Sequence, residues 1–91
     1  MGLDIVELFI AVETEFDVEI PDADASRLLT VGELYAYVLR LLYGAKARSM
    51  IGTPAGNEVW TRLVRVVEKE TGAALHEITP EASFVEDLRL D

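Results

Sequence analysis

Apolar side chains recur at helical spacing through the first sixteen positions of the chain. Ile5, Phe9, Val12 and Phe16 fall on one side of a 100° wheel with Val6 beside them, which predicts a helix over 2–16. Asp4, Glu7, Ala11, Thr14 and Glu15 fall opposite, with Glu13 to one side. Leu3, Leu8 and Ile10 flank this acidic stripe, so large apolar groups are expected beside carboxylates at the surface. "DVEIPD" (17–22) then turns the chain, because Pro21 cannot continue a helix and holds Ile20 extended. A short helical turn is expected in "ADASRLL". Thr30, with Glu33 three residues later, forms the pattern of a capping box. It opens a helix over 31–43 whose apolar face is Val31, Leu34, Tyr35, Val38, Leu41 and Leu42, with Gly44 as its stop.

Residues 45–56, "AKARSMIGTPAG", are small, Gly- and Pro-containing and partly basic, and read as a linker. Asn57 is the expected cap of a helix over 58–71, with Val59, Trp60, Leu63, Val66 and Val67 inward and Gly72 ending it. In the last segment, Thr79-Pro80-Glu81 has the N-cap and N1 pattern of a brief helical turn within a long ordered loop. Strand periodicity persists nowhere. The expected fold is therefore an all-α, four-helix bundle, with Trp60, Phe84, Phe9 and Phe16 in its core.

At 91 residues the chain is a single domain, and 51% hydrophobic with 27% charged residues is a globular composition. With no cysteine, disulfides and thiolate zinc sites are excluded. A net charge of −9 excludes binding along a nucleic-acid backbone and favours partners with basic docking surfaces. The acidity lies mainly in residues 1–43, whose only bases are Arg27 and Arg40. No membrane span is expected, since "LYAYVLRLL" is broken by Arg40 and falls far short of the roughly 20 residues a span needs. "MGLDIV" opens like a myristoylation signal but has Val6 where Ser or Thr belongs, and a cytoplasmic protein is expected.

Catalytic chemistry finds little support. His76 is the one histidine, so neither a metal site nor a histidine-activated nucleophile is expected. Glu86 and Asp87 read as solvated charges rather than an acid–base pair, and an enzyme is the least expected class.

Longer stretches carry a resemblance. "LDIVEL", "EFDVEIPD" and "LLTVGELYAYV" are similar to the second to fourth helices of acyl carrier proteins, and "EITPEASFVEDL" to that family's first loop, after its first helix. In the family the segment resembling 57–91 precedes the one resembling 2–43. The resemblance thus implies a circularly permuted carrier, with 44–56 as the new join. About a dozen residues reach roughly 40 Å when extended, enough to connect the bundle's neighbouring ends.

Such proteins carry a phosphopantetheine arm on the serine of an Asp-Ser-Leu motif. Matched residue by residue, Asp91 stands at the aspartate, Gly2 at the serine and Leu3 at the leucine; Arg89 replaces the glycine two residues before the aspartate. The resemblance implies a degenerate attachment site, and no cofactor is expected. Ser26, Ser49 and Ser83 do not head an acidic helix. The resemblance also implies that Asp4, Glu7, Leu8, Glu13 and Glu15 form a recognition face for acyl-carrier-dependent enzymes. Three functions stay open: an interaction or regulatory module without an arm, an active carrier with an unconventional or non-covalent acyl site, and a domain-swapped oligomer. A monomer or a swapped dimer is expected.

Overall fold

The computed structural model describes residues 3–90, and the backbone alone of Leu3. Three long helices form the body: α1 (Leu3–Phe16), α3 (Val31–Tyr43) and α5 (Pro54–Thr71). One-turn helices α2 (Asp22–Ala25) and α4 (Ala47–Met50) and two 3₁₀ turns (Gly44–Lys46 and Leu75–Glu77) complete the order. An isolated bridge between Thr30 and Ser83 is the β pairing among the described residues. The all-α bundle expected from periodicity is the fold observed.

Helix α1 ends where Asp17 takes φ 54°. There the Val18 N–H donates to the Glu13 carbonyl at 3.1 Å, the six-to-one bond that closes a helix end once one residue is left-handed. Aspartate accepts that conformation more readily than most residues. Just beyond, the Ile20 N–H donates to Glu13 Oε2 at 2.6 Å, tying the extended "VEI" segment back to the helix. At the start of α3 the capping box is complete. The Glu33 N–H donates to Thr30 Oγ1 at 3.2 Å, while the Leu29 and Thr30 N–H groups donate to Glu33 Oε1. Gly44 and Gly72 end α3 and α5 at positive φ, as the sequence pattern predicts.

The stretch expected as a linker is folded. A 3₁₀ turn runs directly into α4, and α5 begins at Pro54, earlier than the expected start near 58. Thr53 rather than Asn57 is the cap: the Gly56 N–H donates to its hydroxyl at 3.1 Å, and Pro54 occupies the first turn, where a missing N–H costs nothing. Gly56 is buried under the Met50 backbone, and a Cβ there would overlap the Met50 carbonyl oxygen. The Tyr35 hydroxyl donates to the Gly56 carbonyl at 2.8 Å, locking α3 to α5.

The core lies between α1, α3 and α5, with Leu8, Val12, Leu34, Val38, Leu63 and Val67 fully buried. The long loop after α5 closes it. Ile78, Ala82, Phe84, Leu88 and Leu90 all turn inward, and the Phe84 ring meets Phe9 edge-on at 5.8 Å. Backbone bonds fasten this loop across the start of α3: the Val31 and Gly32 N–H groups donate to the Ala82 and Pro80 carbonyls, and the Phe84 N–H donates to Leu29. At 79–81 the backbone forms a hydrogen-bonded turn rather than a helix, the Ala82 N–H donating to the Thr79 carbonyl. The buried face of α3 also differs from its periodicity. Leu41 and Leu42 are exposed at 42% and 38%, while Leu39, beneath α4, is buried. Trp60 is half-buried, edge-on to Tyr35 at 5.2 Å. Among the described residues no helix is long and apolar enough to cross a membrane.

Candidate docking face and attachment site

Helix α1 separates the carboxylates of the acidic stripe into two groups. Asp4 and Glu7 are exposed, and neither has an ion-pair partner among the described residues. Asp4 also lies in the first helical turn, where the positive end of the helix dipole favours an anion. Glu15 and Glu13 are committed internally. Glu15 Oε2 lies 2.8 Å from Arg62 Nε, and Arg62 Nη2 donates to the Glu15 carbonyl at 2.7 Å. The same guanidinium sits over the Phe16 ring, 4.6 Å from its centre. Glu13 caps Ile20, as described above.

Leu8, expected at the surface beside these carboxylates, is fully buried. It shares the buried side with Ile5 and Val12 once α5 packs on α1 and the loop residue Phe84 closes on Phe9, which widens the buried arc beyond the four-residue stripe. The exposed apolar neighbour is Ile10, at 54% exposure. Ile10 borders a shallow depression with Thr14, Asp17, Glu19 and Pro21. Asp17 and Glu19 therefore extend the acidic surface past the end of α1. Helical periodicity ends at Phe16 and does not reach them; the run of acids in "DVEIPD" is the signal for them in the sequence.

Of the expected attachment site, Gly2 and Asp91 lie outside the described residues, as does the Leu3 side chain. Their neighbours are close together: Asp4 lines one depression of about 400 Å³ with Arg89 and Leu90, alongside Thr71, Gly72 and Asp87. The head of α1 thus adjoins the last described residues of the chain. Arg89 stands there at φ 61°, a left-handed conformation that favours glycine.

Residues 1–4 read Met-Gly-Leu-Asp, and the hydroxyl of Thr71, which lines the same depression, donates to the Val67 carbonyl at 2.7 Å. The serines are used locally. Ser26 Oγ donates to the Ala23 carbonyl at 2.9 Å and Ser49 Oγ to the Lys46 carbonyl at 2.7 Å. Ser83 Oγ accepts from the Glu86 N–H, and the Ser83 N–H donates to Asp87 Oδ2 at 2.7 Å. His76 is exposed, and no cluster of three or more potential metal ligands occurs among the described residues.

These features define a small acidic helical bundle whose leading helix adjoins the end of a long, well-packed loop. Over short stretches the chain is similar to acyl carrier proteins. It is 58% identical over 37 residues to the acyl carrier protein of Bdellovibrio bacteriovorus, covering 41% of this chain and 47% of that protein. The acyl carrier protein of Campylobacter lari is 49% identical over 40 residues, 44% of this chain and 52% of the relative. That of Clostridium acetobutylicum is 50% identical over 37 residues, 41% and 48% respectively. The chain spans about half the length of the curated relatives it matches. No family model and no solved structure matches it.

Proposed function

We propose that the chain is an acyl-carrier-like domain that carries no phosphopantetheine arm and works as a protein-interaction module. It docks onto basic surfaces of acyl-carrier-dependent enzymes and regulates or scaffolds them. The observation that carries this reading is the division of the α1 carboxylates. Asp4 and Glu7 face solvent unpaired beside exposed Ile10, while the position before Leu3 holds glycine instead of a hydroxyl. Charges at such a rim steer encounter and choose partners more than they add affinity, which suits transient docking.

The helix order is part of the proposal. The segment resembling a carrier's beginning is α5 with its loop, and it follows the segment resembling the remainder. Two features support the permuted order: residues 44–53 fold into a compact connection, and Asp4 shares a depression with Leu90.

Incubation with coenzyme A and a broad-specificity phosphopantetheinyl transferase, followed by intact mass measurement, tests the missing arm. An unchanged mass is expected; a stoichiometric gain of one phosphopantetheine overturns the reading. Light scattering at two concentrations checks intrachain pairing. A monomer at both is expected, and a concentration-independent dimer would instead indicate exchanged halves.

A further inference from the structure

On another face of the molecule, the only two basic side chains of residues 1–43 meet at one cleft. Arg27, just after α2, and Arg40, on α3, line a hollow of about 440 Å³ together with Asp24, Leu28, Tyr37 and Leu41. This lies within the roughly 300–1,000 Å³ of small-molecule sites. Neither arginine makes an ion pair among the described residues. Asp24 is already engaged, because Tyr37 donates its hydroxyl to Asp24 Oδ2 at 2.6 Å. The cleft therefore presents two guanidinium groups against a single carboxylate, and Asp24 lies outside ion-pair distance of both. Half-buried Leu28 and exposed Leu41 give the same cleft an apolar lining.

We propose that this cleft binds a singly charged amphiphilic carboxylate, its head group held by Arg27 and Arg40 and its alkyl chain laid along Leu28 and Leu41. Guanidinium forks match carboxylate geometry in bidentate fashion, and charge-assisted bonds of this kind are the strong ones. The Asp24 carboxylate at the same wall selects the charge: it repels a dianion more than a monoanion. In a chain of net charge −9, two unpaired arginines at one apolar cleft make a local exception to the acidic surface. The exposure of Leu41 also acquires a role, since a leucine on a two-arginine cleft is covered when the alkyl chain is bound.

Octanoate is the probe, titrated into the full chain by calorimetry and by amide chemical-shift perturbation. Saturable binding is expected, with the largest shifts at Leu28, Tyr37 and Leu41. Octanol, of similar length but neutral, should bind at least tenfold more weakly. The double variant R27Q/R40Q should lose at least tenfold in octanoate affinity. Both side chains are exposed, so the variant is expected to keep the melting temperature of the parent chain. L41S provides a second arm, weakening octanoate severalfold while leaving acetate binding as it was. Octanol binding as tightly as octanoate, an unaltered R27Q/R40Q affinity, or absence of saturable binding would each overturn the proposal. The outcome is independent of the docking role, because none of these residues lies on α1.

Discussion

Arg62 of α5 grips Glu15 of α1 twice, through its side-chain carboxylate at 2.8 Å and its backbone carbonyl at 2.7 Å, while covering the Phe16 ring. One exposed arginine thus joins the two helices that belong to opposite ends of the sequence. An isolated surface ion pair contributes about 0–1 kcal/mol, and a solvent-accessible guanidinium over an aromatic ring about 0.5–1 kcal/mol. Arg62→Ala is expected to cost about 1 kcal/mol and to lower the melting temperature by roughly 4–8 °C. Glu15→Gln should cost less, because the carbonyl and ring contacts survive. Thermal unfolding followed by circular dichroism measures both.

Arg89 is the second residue with an unusual backbone, at φ 61° in the loop that closes the core. A left-handed non-glycine residue costs about 1–2 kcal/mol, and glycine returns about 0.4–1 kcal/mol of that through its freer unfolded chain. Arg89→Gly should therefore stabilise the domain by about 0.5–1 kcal/mol. Urea denaturation would show a higher midpoint at unchanged slope. A lower midpoint would mean that the arginine side chain contributes more than the backbone loses.

Docking is expected to follow the unpaired carboxylates. Asp4→Lys with Glu7→Lys should weaken association with a basic acyl-carrier-dependent enzyme by at least tenfold and flatten its salt dependence. Glu13→Gln should behave differently. It weakens the acceptor for the Ile20 N–H, so it lowers stability while leaving the association rate nearly intact. Surface plasmon resonance at two salt concentrations separates the two behaviours.

The Tyr37 hydroxyl is pushed up to about 12, first by burial and then by its bond to Asp24 and the charge of that carboxylate, with Arg40 opposing. A phenol whose folded value lies above its unfolded value of about 10 favours folding fully below pH 10. That contribution fades as pH rises from about 10 through about 12. Tyr37→Phe should remove this part of the alkaline decline, so urea midpoints at pH 9 and pH 11 should lie closer together in the variant than in the parent.

Several features were legible before any coordinates because they depend on neighbours in the chain. The capping box at Thr30 and Glu33 and the stops at Gly44 and Gly72 involve residues within one turn of each other, so sequence spacing contains the whole interaction. Thr53-Pro54 is an equally local signal, since the cap and the proline that follows it are adjacent in the chain. The covering of Leu39 and the exposure of Leu41 and Leu42 were not legible, because helical periodicity defines a face but not what packs on it. Here α4 folds back on α3 and moves the buried arc.

The candidate docking face divides the same way. Sequence alone determined that an acidic, amphipathic helix opens the chain, that its apolar stripe needs covering, and that glycine precedes Leu3. Only the tertiary structure decided which carboxylates remain available. Arg62 is 47 residues from Glu15 in sequence, and it reaches it because the two apolar helix faces are buried together. Burial of Leu8 likewise required the packing of α5 on α1. Charge and periodicity are properties of the chain, whereas pairing and burial belong to whatever the fold brings alongside.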